Sequence, residues 1–150
     1  MVALTLSDAF CVGRYRDEFL DLMRKRTVDL VFANEAELTS LYETQDFDAA
    51  LTQLRKDVKL GVVTRSEKGC VVVSGDGVEA VPAFPIDKLV DTTGAGDLFA
   101  AGFLFGLVRD TGLKRAGQLG ALAAAEIIQH IGARPQTSLK ALAQAKGLLS

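Results

Sequence analysis

Hydrophobic residues recur along this chain in two rhythms, one with the alternation of strands and one with the spacing of amphipathic helices. Val2 to Leu6, in "VALTLSD", predicts a short strand ending at Ser7 and Asp8, residues suited to capping a helix. The helix expected next gathers Phe19, Leu20, Leu22 and Met23 at helical spacing and leaves Arg14, Arg16, Asp17, Glu18, Arg24, Lys25 and Arg26 to solvated faces. Val28 to Phe32, β-branched and aromatic, predicts a strand closed by Asn34, and "EAELTSLYE" and "DFDAALTQLRKD" predict two helices after it. Gly61 to Thr64 then reads as a strand. A turn through Gly69 follows, with a hairpin of Cys70–Val73 and Val78–Val81 around "SGDG". A short strand is expected at Leu89 to Thr92, then a glycine turn and three apolar helices, Ala95–Arg109, Leu113–His130 and Leu139–Leu149.

Strands alternating with helices in this way imply an α/β fold with a mainly parallel sheet, covered by helices on both faces and carrying a small hairpin. In such sheets ligands sit at the carboxyl ends of the strands, and Asn34, Thr64 and Thr93 fall at that kind of position. No internal repeat, low-complexity tract or flexible linker divides the chain, so one domain over residues 1–150 is expected.

Composition narrows the partners. With 49% hydrophobic and 24% charged residues among 150, the chain has material for a core, and its formal net charge of −2 supplies no basic field for nucleic acid or an anionic membrane. A small anion bound locally stays open. Cys11 and Cys70 lie far apart, in no CxxC pair, as buried thiols of a reducing compartment do. No uncharged apolar run reaches the ~18 residues of a membrane span, and the first residues lack a basic start and cleavage site. A cytoplasmic location is expected.

The stretch "VDTTGAGDLFAAGFLFGL", Val90 to Leu107, carries the candidate chemistry. Small residues at a strand-to-helix turn let a ligand approach the backbone, and the first helical amides point outward without partners, so an anion is the natural guest. Asp97 follows directly. Alone, an acid in a first helical turn is a common stabilising choice; beside a bound phosphoryl group, it is placed to accept a proton from an attacking hydroxyl. A Walker A loop would need Gly-Lys-Ser/Thr, and neither lysine nor serine follows Gly96. A dinucleotide fingerprint would need a small residue where Phe99 stands, and an acid ~20 residues on.

"DTTGAGDLFAAGF" resembles the C-terminal signature of the ribokinase-type sugar and nucleoside kinases, the PfkB family, whose pattern is Asp-Thr-x-Gly-Ala-Gly-Asp before a helix. "NEAE", Asn34 to Glu37, resembles that family's Asn-x-x-Glu, linked to magnesium and phosphate placement. "VVTRSEKGCVVV" resembles its nucleotide-binding strand and turn, Thr-x-Gly-x-x-Gly: Thr64 and Gly69 match, and Ser66 stands at the first glycine. The opening residues and "EIIQHIGARP" look most like the bacterial adenosine-kinase-like branch. The likeness covers the whole chain but only the C-terminal half of the family's usual length, without the N-terminal half that holds most acceptor contacts and a small lid.

The resemblance implies a ribokinase-like fold and a kinase transferring the γ-phosphoryl group of ATP, with Mg²⁺, to a hydroxymethyl group of a nucleoside or sugar. Asp97 would be the general base, and Gly94, Ala95 and Gly96 the anion hole. Asn34, Thr64, Ser66 and Gly69 would line the nucleotide, and Glu37 would hold Mg²⁺ through water; the alternatives are a helix-capping Asn34 with a first-turn Glu37, and ordinary turn chemistry at Thr64 and Gly69. Asp91 and Thr93 match positions where some members bind an activating K⁺, although Asp91 could equally bond the loop's own amides. The rival reading is a nucleotide-binding module without activity of its own, awaiting the missing half or pairing as a homodimer. His130 reads as a capping or adenine-wall residue rather than a catalyst. Arg134 fits either a phosphate contact or a solvated cation, and the small residues Gly120 to Ile128 either base approach or helix packing.

Overall fold

The computed structural model describes all 150 residues as two compact units, Met1–Arg65 with Val71–Glu79, and Ser66–Cys70 with Ala80–Ser150. In the first, β1 (Ala3–Thr5), β2 (Leu30–Asn34) and β3 (Leu60–Thr64) are parallel, in register from Ala3 opposite Leu30 to Asn34 opposite Thr64. Helices α1 (Ala9–Arg14), α2 (Arg16–Arg24), α3 (Glu35–Leu41) and α4 (Phe47–Asp57) supply the crossovers that parallel strands require. The strand order β1-β2-β3-β4-β5 ends in the hairpin β4 (Cys70–Ser74) and β5 (Gly77–Val81), whose tight connection makes that pair antiparallel. The sheet is thus open, mixed and mostly parallel, as expected.

Leu30, Val31, Phe32 and Ala33 are all buried. Successive strand residues point to opposite faces, so β2 is covered on both, the signature of a central parallel strand. One of those faces joins Val31, Ala33 and Val63 to Leu20, Met23, Leu38, Leu41, Leu51 and Leu54 from the helices. Three helices of this unit begin on side-chain caps. Asp8 accepts from the Phe10 and Cys11 amides at 2.6 and 3.1 Å, Asp46 caps α4, and Asn34 ends β2 while capping α3. Such caps contribute about 1 kcal/mol each. Of the two expected capping residues before α1, Asp8 takes the role, while Ser7 adopts a left-handed φ of 66°.

Two expectations are corrected. The helix expected after Asp8 is two helices, because Tyr15 leaves the helical region at φ −119°, ψ 31° and both ends α1 and precedes α2. Leu89 to Thr92 forms no strand. Its Val90 and Asp91 amides donate to the Ile128 carbonyl at 2.8 and 3.3 Å instead of to a ladder, and Leu89 and Val90 are exposed.

The second unit is built on α5 (Ala95–Val108), α6 (Leu113–Ile127) and α7 (Leu139–Ala145). The last two stop short of the expected His130 and Leu149. A β-carbon at Gly120 would lie 2.8 Å from the Phe99 carbonyl oxygen and 3.1 Å from its ring. Gly120 thus allows α6 to pack closely on α5. Phe99 stacks on Phe103 at 6.5 Å, and Leu119, Leu122, Ala143 and Leu148 make a second small core. No helix is long and apolar enough to cross a membrane.

Candidate active site

In the second unit, α5 starts at Gly94, which sits in the left-handed region at φ 79°. A side chain there would be strained, and its β-carbon would lie 2.9 Å from Ala133 Cβ. The Ala95 amide is taken by the Thr92 carbonyl at 3.1 Å and the Leu98 amide by that of Gly94 at 2.9 Å. Between them the Gly96 and Asp97 amides have no acceptor in the chain, and no side chain caps the helix. The space a Gly96 side chain would fill is open for 4 Å. Asp97 is exposed and its carboxylate has no partner in the chain, in the same turn as those amides. Free donors, the positive end of a 14-residue helix and open space beside them fit a phosphate group.

Asp91 holds this turn in place. Its Oδ1 accepts from the Thr93 amide at 2.9 Å and the Thr93 hydroxyl at 2.7 Å, and its Oδ2 from the Gly132 amide at 3.0 Å. The Gly132 amide, then the Thr93 hydroxyl and amide, lower the carboxyl to about 2. Asp91 thus bonds the loop's own donors, as the alternative reading expects of it.

In the first unit Asn34 and Glu37 form a reciprocal capping box. The Glu37 amide donates to Asn34 Oδ1 at 2.8 Å, the Asn34 amide to Glu37 Oε2 at 2.9 Å, and Asn34 Nδ2 to Glu37 Oε1 at 2.8 Å. Glu37 is buried, and its carboxyl is raised by that burial, lowered by the Asn34 amide and raised again by Asp8. Both oxygens are engaged, and no cluster of three acidic, histidine or cysteine side chains capable of holding a metal occurs in the chain. A Mg²⁺ ion at this turn would therefore be held through water rather than by a cluster of protein ligands. At the adjacent strand end the Thr64 hydroxyl donates to the Ala33 carbonyl at 3.5 Å, the limit of a hydrogen bond.

In the turn after β3, Ser66 stands where the family pattern has its first glycine. Ser66 adopts a left-handed φ of 53°, and its carbonyl accepts the Gly69 amide at 3.0 Å. Gly69 has φ 85°, and a β-carbon there would overlap the Val81 carbonyl oxygen.

Sequence reasoning missed Arg65. Its guanidinium grips Glu35 through two bonds of 2.9 and 3.1 Å and lies 3.7 Å above the Phe47 ring, which ties the end of β3 to the start of α3. Only the spacing of residues 30 apart in sequence makes that pair, and no local signal announces it. His130 follows α6 with Nε2 3.3 Å from Glu126 Oε2, Arg134 is exposed and makes no ion pair, and burial pushes the free Cys70 thiol up to about 12.

The open sheet and its helices define a ribokinase-like α/β protein. The fold recurs, at a TM-score of 0.74 and 24% identity over 89% of this chain and 43% of the other, in a Methanocaldococcus jannaschii nucleoside kinase described as an archaeal member of the ribokinase family. More specifically, residues 3–140 match the pfkB family carbohydrate kinase profile, and the chain belongs to that family. A Rhizobium etli protein described as a probable sugar kinase superposes at a TM-score of 0.96 with 53% identity, over 98% of this chain and 44% of that one. Adenosine kinase from Sinorhizobium meliloti does so at 0.94 with 55% identity, over 96% and 44%. A cytidine kinase of Thermococcus kodakarensis is 39% identical over 126 residues, 79% of this chain and 45% of the relative. The chain spans less than half the length of these relatives.

Proposed function

We propose that this chain is the C-terminal part of a PfkB-type kinase and carries its phosphoryl-transfer machinery, with a nucleoside or sugar hydroxymethyl group as acceptor. The observation that carries the reading is the start of α5: two unpaired amides, at Gly96 and Asp97, beside open space and a free carboxylate. The family match and the kinases among the relatives support it, and the adenosine and cytidine kinases favour a nucleoside.

ATP, when bound, supplies the γ-phosphoryl group. The Gly96 and Asp97 amides would donate to its oxygens, where fixed donors stabilise charge that grows during transfer. Gly94 keeps the turn in the one conformation that presents those amides, and Asp91 fixes it from behind through Thr93. Asp97 would take the proton of the acceptor hydroxyl as the new oxygen–phosphorus bond forms and the bond from the γ-phosphorus to the departing ADP breaks. Thr64, Ser66 and Gly69 would border the nucleotide, and Asn34 would help place phosphate.

The test is ADP release from Mg·ATP with adenosine, cytidine, ribose, fructose or no acceptor, together with ATP binding, for the wild type and Asp97→Asn. Asp97→Asn is expected to bind ATP nearly as well and to lose transfer by about a thousandfold or more, since it removes the base while leaving every amide in place. Comparable turnover in the variant would rule out Asp97 as base. Binding without turnover by the wild type would instead mark the chain as a nucleotide-binding module inactive by itself.

A further inference from the structure

Glu126 is a buried carboxylate that the proposed reaction does not use, its side chain only 8% exposed. Its Oε1 gathers three donors from beyond the end of α6: the Gln136 amide at 2.9 Å, the Thr137 amide at 3.0 Å and the Thr137 hydroxyl at 3.1 Å. Its Oε2 faces His130 Nε2 at 3.3 Å. Burial would raise this carboxyl, but the Gln136 and Thr137 amides, His130 and the Thr137 hydroxyl outweigh it, and the net position is below the ordinary value. The group is therefore a carboxylate at neutral pH, and a buried carboxylate persists only where its donors are fixed.

Those donors close a loop. Its near end is held by Ile128, whose carbonyl accepts the Val90 and Asp91 amides, and by Gln129, whose Oε1 accepts the Asp87 amide at 3.0 Å. At its middle the Gly132 amide reaches Asp91, and Ala133 packs on Gly94. Only Ala133, Arg134 and Pro135 separate Gly132 from Gln136, where Glu126 takes hold. Glu126 is thus the far anchor of the segment that backs the Asp91–Gly94 turn.

We propose that Glu126 is a positioning residue for the phosphate-binding turn: by fixing Gln136 and Thr137 it holds Gly132 on Asp91 and Ala133 against Gly94, which sets how the Gly96 and Asp97 amides are presented. The inference rests on the reading of those amides as the phosphate site, but its first test needs no ligand.

Amide hydrogen exchange would be followed by NMR in the 150-residue chain and in Glu126→Ala, Glu126→Gln and Thr137→Val. Glu126→Ala should speed exchange at Gln136 and Thr137, and also at Gly132 and Thr93, by about tenfold or more, while the amides of α1 to α4 keep their rates. Glu126→Gln, which retains the Oε1 acceptor, should recover most of the protection, and Thr137→Val should lose a smaller part. Titration with pyrophosphate should then need about tenfold more anion to shift the Gly96 and Asp97 amides in Glu126→Ala than in wild type, with Glu126→Gln between them. Exposure of Gln136 and Thr137 with unchanged Gly132 and Thr93 would overturn the proposal, leaving Glu126 a local loop anchor. So would uniform acceleration through α5 and α6 in all three variants, including the mild Thr137→Val. A wild type indifferent to pyrophosphate would defeat the phosphate reading instead, with the exchange at Gly132 and Thr93 still deciding whether Glu126 governs the turn.

Discussion

Replacing Gly96 with alanine should make the protein more stable and weaken the proposed phosphate site. Gly96 is the second residue of α5, and the position its β-carbon would take has no neighbour within 4 Å, so a methyl group meets no clash. Alanine in a helix is favoured over glycine by about 0.5–1 kcal/mol, mostly because the unfolded chain loses less entropy on folding, and the first turn realises the lower end of that range. For a chain of this length about 0.5 kcal/mol raises the melting temperature by roughly 1–2 °C. The same methyl occupies the open space beside the Gly96 and Asp97 amides. If it costs a bound phosphate one charge-assisted hydrogen bond, affinity falls by about 1.5–3 kcal/mol, or roughly 10–100-fold. Thermal unfolding by circular dichroism and calorimetric titration with Mg·ATP and pyrophosphate read the two effects separately. Gly96→Val should weaken binding further, although its branched side chain forfeits the gain in helix stability. A stabilised Gly96→Ala protein that binds both ligands as tightly as the wild type would refute the reasoning, because the open space would then have no ligand to admit.

Three other outcomes follow from the geometry. Gly69→Ala should destabilise the chain by about 3 kcal/mol or more, read as a lower urea midpoint, because φ 85° is hostile to a side chain and the added carbon would overlap the Val81 carbonyl and lie 2.7 Å from the Ala83 nitrogen. Ser66→Gly should act oppositely: it relieves a left-handed φ of 53° worth about 1 kcal/mol, partly offset by glycine's larger unfolded-state entropy, for a net gain of about 0.5 kcal/mol in the same assay. Asp91, lowered from 3.8 to about 2 by the Gly132 amide and the Thr93 donors, contributes stability that is present above about pH 4 and is lost as pH falls towards 2. Urea unfolding at several pH values should therefore give Asp91→Asn a lower midpoint at neutral pH and a shallower loss on acidification than wild type, and parallel pH curves would refute it.

What the sequence disclosed, and what it withheld, divides by the range of the interaction involved. The strand and helix pattern was readable because burial imposes a period on consecutive residues: four buried positions in a row at Leu30 to Ala33, capped by Asn34, need no distant partner to be recognised. The glycine turn was readable for the same reason, since its free amides and left-handed Gly94 lie within four residues of Asp97. Leu89 to Thr92 misled because its apolar residues look like a strand, while the carbonyl that takes two of its amides belongs to Ile128. The α1–α2 break was likewise invisible, as Tyr15 is an ordinary helical residue by composition.

Contacts between residues far apart in sequence are the ones pattern reading does not reach. Asp91 meets Gly132 across 41 positions, Arg65 meets Glu35 across 30, and Glu126 meets Thr137 across an irregular loop. Asp91 and Glu126 accept from backbone and hydroxyl donors that would otherwise go unpaired, Arg65 donates to a carboxylate, and each loses several bonds at once when changed. A motif names the groups proposed to face a ligand, whereas the contacts of Asp91 and Glu126 hold the segments around the turn that presents them. A relative could keep Asp-Thr-Thr-Gly-Ala-Gly-Asp intact and still present its amides differently if the partner at Gly132 or Glu126 were altered. Substitutions at the supports should therefore change affinity for phosphate in proportion to the mobility they introduce in the turn, while substitutions at Asp97 should change transfer and leave that mobility as it was.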